Sequence, residues 1–122
     1  MEVAAEDADL TGEAGTSVTY TVWVTNTGTT DDTFDITISG NAWDATPAAT
    51  SVTLAAGAST SVQVTVDIPA DADDGDTDVA TFTATSQSDA TATDSVDLTT
   101  TAGVEAPTGI FIYLPIVING SD

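Results

Sequence analysis

The chain is 122 residues long and carries 20 Asp and Glu against no Lys, Arg or His, a formal charge of −20. Without a cationic side chain it has nothing to grip nucleic-acid phosphates or to cradle a nucleotide, and a His base, a Ser–His pair or a Schiff-base Lys is excluded. Cys is absent as well, which removes disulfides, a thiolate nucleophile and thiolate zinc ligands.

The same composition offers trypsin-like proteases nothing for their acidic specificity pocket, and the single sign of charge keeps molecules apart. The apolar residues are mostly Ala and Val, set among abundant Thr, Ser and Gly, so one thin, Val-dominated core is expected. This composition suits an extracellular, cell-surface protein, with adaptation to salt as the competing explanation. Met1 to Glu6 provide neither a basic segment nor an apolar one, so no signal peptide is visible.

Residues 1–10 are acidic and weakly apolar, a lead-in or an edge strand, and Gly12 and Gly15 mark a turn. Val18, Tyr20, Val22 and Val24 then alternate with Thr19, Thr21, Trp23 and Thr25, the period of two expected of a half-buried strand. Asn26-Thr27-Gly28 stops it. Phe34, Ile36 and Ile38 share one face of a second strand, and Trp43 follows in a loop before Pro47. Val52 and Leu54 make a short strand, and Ala56-Gly57 turns the chain. Val62, Val64, Val66 and Ile68 alternate again up to Pro69. After an acidic loop comes a strand over 79–86 with Ala80, Phe82 and Ala84 on one face, and a last one in which Val96 and Leu98 point the same way. Strands of about eight residues, punctuated every 8–12 residues and with no helical period, predict an all-β antiparallel sandwich of about seven strands. Val and Thr suit it because both are β-branched and stiff at χ1. Trp43 is expected to cap an open end of the sandwich or to stack on a carbohydrate. Trp23, out of phase with the buried valines, is expected on the outer face or in an interface.

The stretch Ala14-Gly15-Thr16-Ser17-Val18-Thr19-Tyr20-Thr21-Val22-Trp23-Val24-Thr25-Asn26-Thr27-Gly28 resembles the opening of NEW3-type and CARDB-type immunoglobulin-like domains. Trp43 is similar to a Gly-Trp step of NEW3, Val52-Thr53-Leu54-Ala55-Ala56-Gly57-Ala58-Ser59 to its Leu-Ala-Ala-Gly step, and Val64-Thr65-Val66-Asp67-Ile68-Pro69-Ala70 to its Val-x-Val-Pro segment. The resemblance covers residues 11–101. It implies an immunoglobulin-like sandwich serving as an accessory, structural or adhesive part of a secreted protein, with no shared active site. The family's turn after Pro-Ala is short, whereas five Asp fill it here.

The remainder of the chain divides into a linker, 102–109, an apolar strand, 110–118, and a tail, 119–122. Ile110, Phe111, Ile112, Tyr113, Leu114, Ile116, Val117 and Ile118 follow one another with only Pro115 between them, so both faces of an extended segment are greasy. The run is too short for a membrane-spanning helix, which takes about 20 residues, and no transmembrane segment is predicted. Residues 99–109 can extend on the order of 35 Å, which lets the run cross its own sandwich or reach a neighbour. Its burial is worth on the order of 10–20 kcal/mol gross, against ~1–2 kcal/mol per residue ordered. Placed in another copy as a donor strand, it would join subunits head-to-tail into a homopolymer.

Asp71, Asp73, Asp74, Asp76 and Asp78 crowd around Gly75, and hard oxygen ligands on a flexible loop suit Ca²⁺. The spacing is not that of an EF-hand, and a solvated acidic turn is the simpler alternative. Outward hydroxyls at Thr81, Thr83, Thr85, Thr91 and Thr93 are candidates for O-glycans, and Asn119-Gly120-Ser121 fits the N-glycosylation pattern. The expectation is therefore a non-enzymatic structural subunit of an extracellular, pilus-like filament or surface assembly. The alternative is a monomeric accessory module that binds glycans or other surface proteins through Trp43, with calcium in the acidic loop.

Overall fold

A computed structural model describes residues 1–103 of the chain. The apolar run 110–118, Asn119 and most of the 102–109 linker lie outside the described residues. Nine strands follow one another: β1 (Glu2–Ala5), β2 (Asp9–Gly12), β3 (Ser17–Thr25), β4 (Asp32–Ser39), β5 (Ala45–Pro47), β6 (Ser51–Leu54), β7 (Ser59–Asp67), β8 (Thr77–Ser86) and β9 (Thr93–Ala102). They build a four-stranded sheet, β1-β3-β7-β5, and a five-stranded sheet, β2-β9-β8-β4-β6. The described residues contain no helix, so none is long and apolar enough to cross a membrane.

The count rises from about seven to nine because weak segments at two margins also pair. The lead-in supplies β1 and β2, and the Pro-containing segment supplies β5, three residues long. On each flank the edge chain serves both sheets in turn. Residues 6–8 carry it from β1, beside β3, to β2, beside β9, and on the other flank β5 and β6 divide the same task. Twist carries the corners of stacked sheets apart, so a switching edge chain covers more of both than a straight strand would. One consequence departs from the antiparallel expectation: β2 runs parallel to β9, pairing residues 9–12 with 99–102.

The core follows from the alternation. Val22, Val24, Val62, Val64 and Val66 of the smaller sheet meet Phe34, Phe82, Ala84 and Leu98 of the larger, all buried. Tyr20 is the largest polar-tipped member, 1% exposed. Its hydroxyl donates to the Thr99 carbonyl at 2.6 Å and shares a 2.8 Å hydrogen bond with Thr100 Oγ1. A buried phenol needs such partners, and here they tie β3 to β9 where the edge chain changes sheets. Burial raises the Tyr20 pKa above the ordinary phenol value, with the Thr100 hydrogen bond opposing it.

The strand directions put Met1 and the described end of the chain, Gly103, at opposite ends of the sandwich. β1 starts beside Thr25, while Gly103 donates its N–H to Gly12, at the far end of β2. The first end gathers the loops around 26–31, 55–58 and 86–92. The second gathers 12–16, 40–44 and 68–76.

Candidate functional site

At the first end, Asn26 is 3% exposed, and its amide uses both kinds of hydrogen-bonding capacity. Nδ2 donates to the carbonyls of Thr30 at 2.9 Å and Leu54 at 3.1 Å, and Oδ1 accepts from Gly28 N–H at 2.9 Å. Its backbone joins the next turn, accepting from Gly57 at 2.8 Å and donating to Ala58 at 2.9 Å. Gly57 sits at φ 77°, left-handed backbone that favours glycine. The Asn-x-Gly and Leu-Ala-Ala-Gly steps of the sequence are thus two halves of one joint between the sheets.

Beside that joint, Asp32 receives the Ser86 hydroxyl and the Thr33 N–H, and Asp89 receives both the N–H and the hydroxyl of Thr91. These bonds favour the charged carboxylate. The Ser86 hydroxyl holds Asp32 below the usual carboxylate pKa, and Thr91 does the same for Asp89.

At the second end, the five Asp of the acidic loop do different jobs. Asp78, half-buried at the start of β8, accepts from Ala42 N–H at 2.9 and 3.1 Å and from Trp43 N–H at 2.9 Å. Asp76 accepts from Asp73 N–H at 2.9 Å and shapes the turn. Gly75 takes φ 94° and donates its N–H to Ala102. Asp71, Asp73, Asp74 and Asp76 are exposed, and among the described residues no group of three or more acidic side chains is placed to hold a metal ion. Asp74, Glu13, Ala14, Ala72, Ala102 and Gly103 line an open cleft of about 320 Å³ where the described chain ends.

Trp43, pinned by Asp78, is half-buried and packs against the core cluster. Trp23 stands on the outer face of β3, 41% exposed, with its indole N–H donating to the Glu6 carboxylate at 2.7 Å. Thr81, Thr83 and Thr85 are half-exposed on the outer face of β8, and Thr91 and Thr93 are exposed. Several of these hydroxyls are already engaged: Thr81 donates to Asp97 at 2.9 Å, Thr91 to Asp89 at 2.6 Å and Thr93 to the Ala84 carbonyl at 3.1 Å. The structure joins Trp43 with Asp78, which sequence reasoning had placed in separate roles. It also brings out Asn26 and Tyr20, whose side-chain roles the alternation pattern alone does not reveal.

Two sheets with this strand order make an immunoglobulin-like sandwich, and residues 15–101 match the profile of FixG_C, the IG-like fold at the C-terminal of FixG, a protein provisionally assigned as an oxidoreductase. The chain belongs to the FixG_C family. Among curated proteins none matches it. In architecture this FixG_C chain is similar to a chain of the CsuC–CsuE chaperone–tip adhesion subunit pre-assembly complex from the archaic chaperone-usher Csu pili of Acinetobacter baumannii. The TM-score is 0.55 at 16% identity, over 84% of this chain and 53% of that one, so the chain spans about half the length of its Csu neighbour. It is similar as well to PapD-like domain 7 of human CEP192, with TM-score 0.55 and 12% identity over 85% and 86% of the two chains. At these identities the likeness is one of fold.

Proposed function

We propose that this FixG_C-family chain is a non-catalytic structural subunit of an extracellular filament or surface assembly, joined head-to-tail through the apolar segment 110–118. One observation carries the role: residues 1–103 already make a sandwich in which β8 and β9 pair along their whole length. The position beside β8 that a donor strand fills in a sandwich lacking its last strand is therefore taken by the chain's own β9. The apolar segment is surplus to that core, and its greasy faces find cover in a neighbour. It joins as an added edge strand rather than as a substitute for a missing one. Residues 93–98 of β9 have no strand partner on the side away from β8 among the described residues, and they offer the edge. Gly103 leaves at the end opposite Met1, which suits growth along one axis.

Extracellular placement rests on the composition, and kinship with NEW3-type and CARDB-type domains rests on the Asn26–Gly57 joint. Non-catalytic character rests on the lack of any Lys, Arg, His or Cys, which leaves no thiolate or imidazole to hold a redox centre. A second role is favoured by the family itself, whose name places this fold at the C-terminal of a larger protein. In that role the chain is an accessory module and does not polymerise.

Electron microscopy of the purified full chain, beside a variant ending at residue 109, distinguishes the two. Filaments from the full chain, and a folded, monodisperse shortened variant, are expected. A monodisperse full chain overturns polymerisation in favour of the accessory module. A shortened variant that fails to fold assigns 110–118 to the chain's own core.

A further inference from the structure

Along β9 the inward row Leu98, Thr100 and Ala102 is buried, while the alternate residues Thr99 and Thr101 are half-buried. The end of that strand is bonded on both sides. Gly75 N–H donates to the Ala102 carbonyl and Ala102 N–H to the Asp76 carbonyl, each at 2.7 Å, and Gly103 N–H donates to the Gly12 carbonyl at 2.9 Å. The last of these carries the parallel pairing of β2 and β9 one residue beyond Ala102. Ala102 and Gly103 are themselves walls of the open cleft of about 320 Å³, with the methyls of Ala14 and Ala72 and the carboxylates of Glu13 and Asp74 around them.

We infer that β9 continues through residues 104–106 and seats Val104 in this cleft, which directs the segment 110–118 away from its own sheet edge and onto a second copy. The second clause rests on the donor-strand reading; the seat of Val104 does not. Period two puts Val104 and Ala106 in the buried row of Ala102, and Glu105 in the other row. The isopropyl group of Val104 meets alanine methyls in the cleft, and being neutral it escapes the repulsion that Glu13 and Asp74 exert on an acidic copy arriving from solution. Joined covalently to Gly103, it also escapes the translational cost of a separate occupant. Pro107 has no N–H and ends the pairing.

The seat decides where the apolar segment can go. From Gly103 to Ile110 is seven links, about 25 Å when extended, and Leu98 lies five residues back, about 17 Å. A free linker would therefore bring the segment to the unpaired edge at 93–98 of its own β9. With 104–106 seated, four links remain from Ala106 to Ile110, about 14 Å, against roughly 26 Å from Ala106 back to Leu98. The chain's own edge is then out of reach, and the segment that covers it comes from another copy.

Because the chain has no cysteine, introduced pairs report contact without background. The seat is tested in the full chain with Val104→Cys combined with Ala14→Cys or with Ala72→Cys, since a disulfide needs Cβ atoms within about 4.5 Å. Glu105→Cys with the same partners is the control. A second pair, Ser95→Cys with Ile112→Cys, reads the edge. Non-reducing gels and intact mass tell a bond within one chain from a bond between two. At least one Val104 pair is expected to close within a chain, about ten-fold faster than its Glu105 counterpart, and the edge pair to close only between chains. Val104 pairs that stay reduced, that close no faster than the control, or that join two chains overturn the seat whether or not filaments form. An edge pair that closes within one chain overturns the outward course of the segment. Val104 pairs that close within a chain that stays monodisperse uphold the seat and overturn only the donor-strand reading.

Discussion

The two ends of the sandwich solve one problem by different means. Both must hold loops in place without a single cationic side chain to pair with their carboxylates. The Met1 end uses a neutral amide: Asn26, buried, bonded to Thr30, Leu54 and Gly28. The Gly103 end uses a carboxylate, Asp78, which gathers the N–H groups of Ala42 and Trp43 and stays half in water. A buried carboxylate without a cation would cost several kcal/mol, so charge is kept out of the buried joint and clamps loops where water reaches it: Asp78 at the wetter Gly103 end, and Asp32 and Asp89 at the rim of the Met1 end.

The largest test of that contrast is Asn26→Ala. It leaves two carbonyls and an N–H short of partners in a dry joint, at about 3 kcal/mol in urea unfolding. A loss no greater than that of Asp78→Ala would collapse the distinction. Gly12→Ala probes the one closely packed corner of the wetter end, where a Cβ would lie 2.9 Å from both Ile68 Cδ1 and Val18 Cγ1. A cost of about 2 kcal/mol is expected there, and a neutral result would mean the corner yields. Asp78→Ala should cost about 1 kcal/mol, since water replaces part of what the carboxylate supplies. Its clearer sign is faster amide exchange at Ala42 and Trp43, which an unchanged rate would refute.

The smallest effect is in acid. Asp32 and Asp89 are held below the ordinary carboxylate pKa by Ser86 and Thr91. Their stabilisation is therefore complete above the unfolded pKa of about 3.9 and is lost as pH falls through the lower folded value. Relief of repulsion among the carboxylates acts in the opposite direction over the same range. The comparison of wild type with Asp32→Asn separates the two. Their difference in melting temperature should hold steady down to about pH 4 and shrink below it, whereas a gap that widens in acid would contradict the assignment.

The strands with strict alternation were legible in the residues alone. Val18, Tyr20, Val22 and Val24, or Val62, Val64 and Val66, define a face without help, and the structure extends those strands by a residue or a few at their ends. β1, β2 and β5 were not legible as three strands, because three or four residues hold too little period to read and their pairing is decided across the sandwich. The parallel partnership of β2 with β9 has no local signature at all. The same limit applied to side chains. Asp78 reads as one of five similar carboxylates until its neighbours 35 and 36 positions away are known, and Asn26 reads as a strand stop until Leu54 arrives beneath it.

The side-by-side course of β2 and β9 has a mechanical corollary. A pull applied through Met1 and through the residues after Gly103 draws the two strands past each other along their length. The bonds between residues 9–12 and 99–102 then bear the load together instead of peeling one by one. Such a joint is stiff under tension yet needs no covalent staple, which suits a chain that has no cysteine.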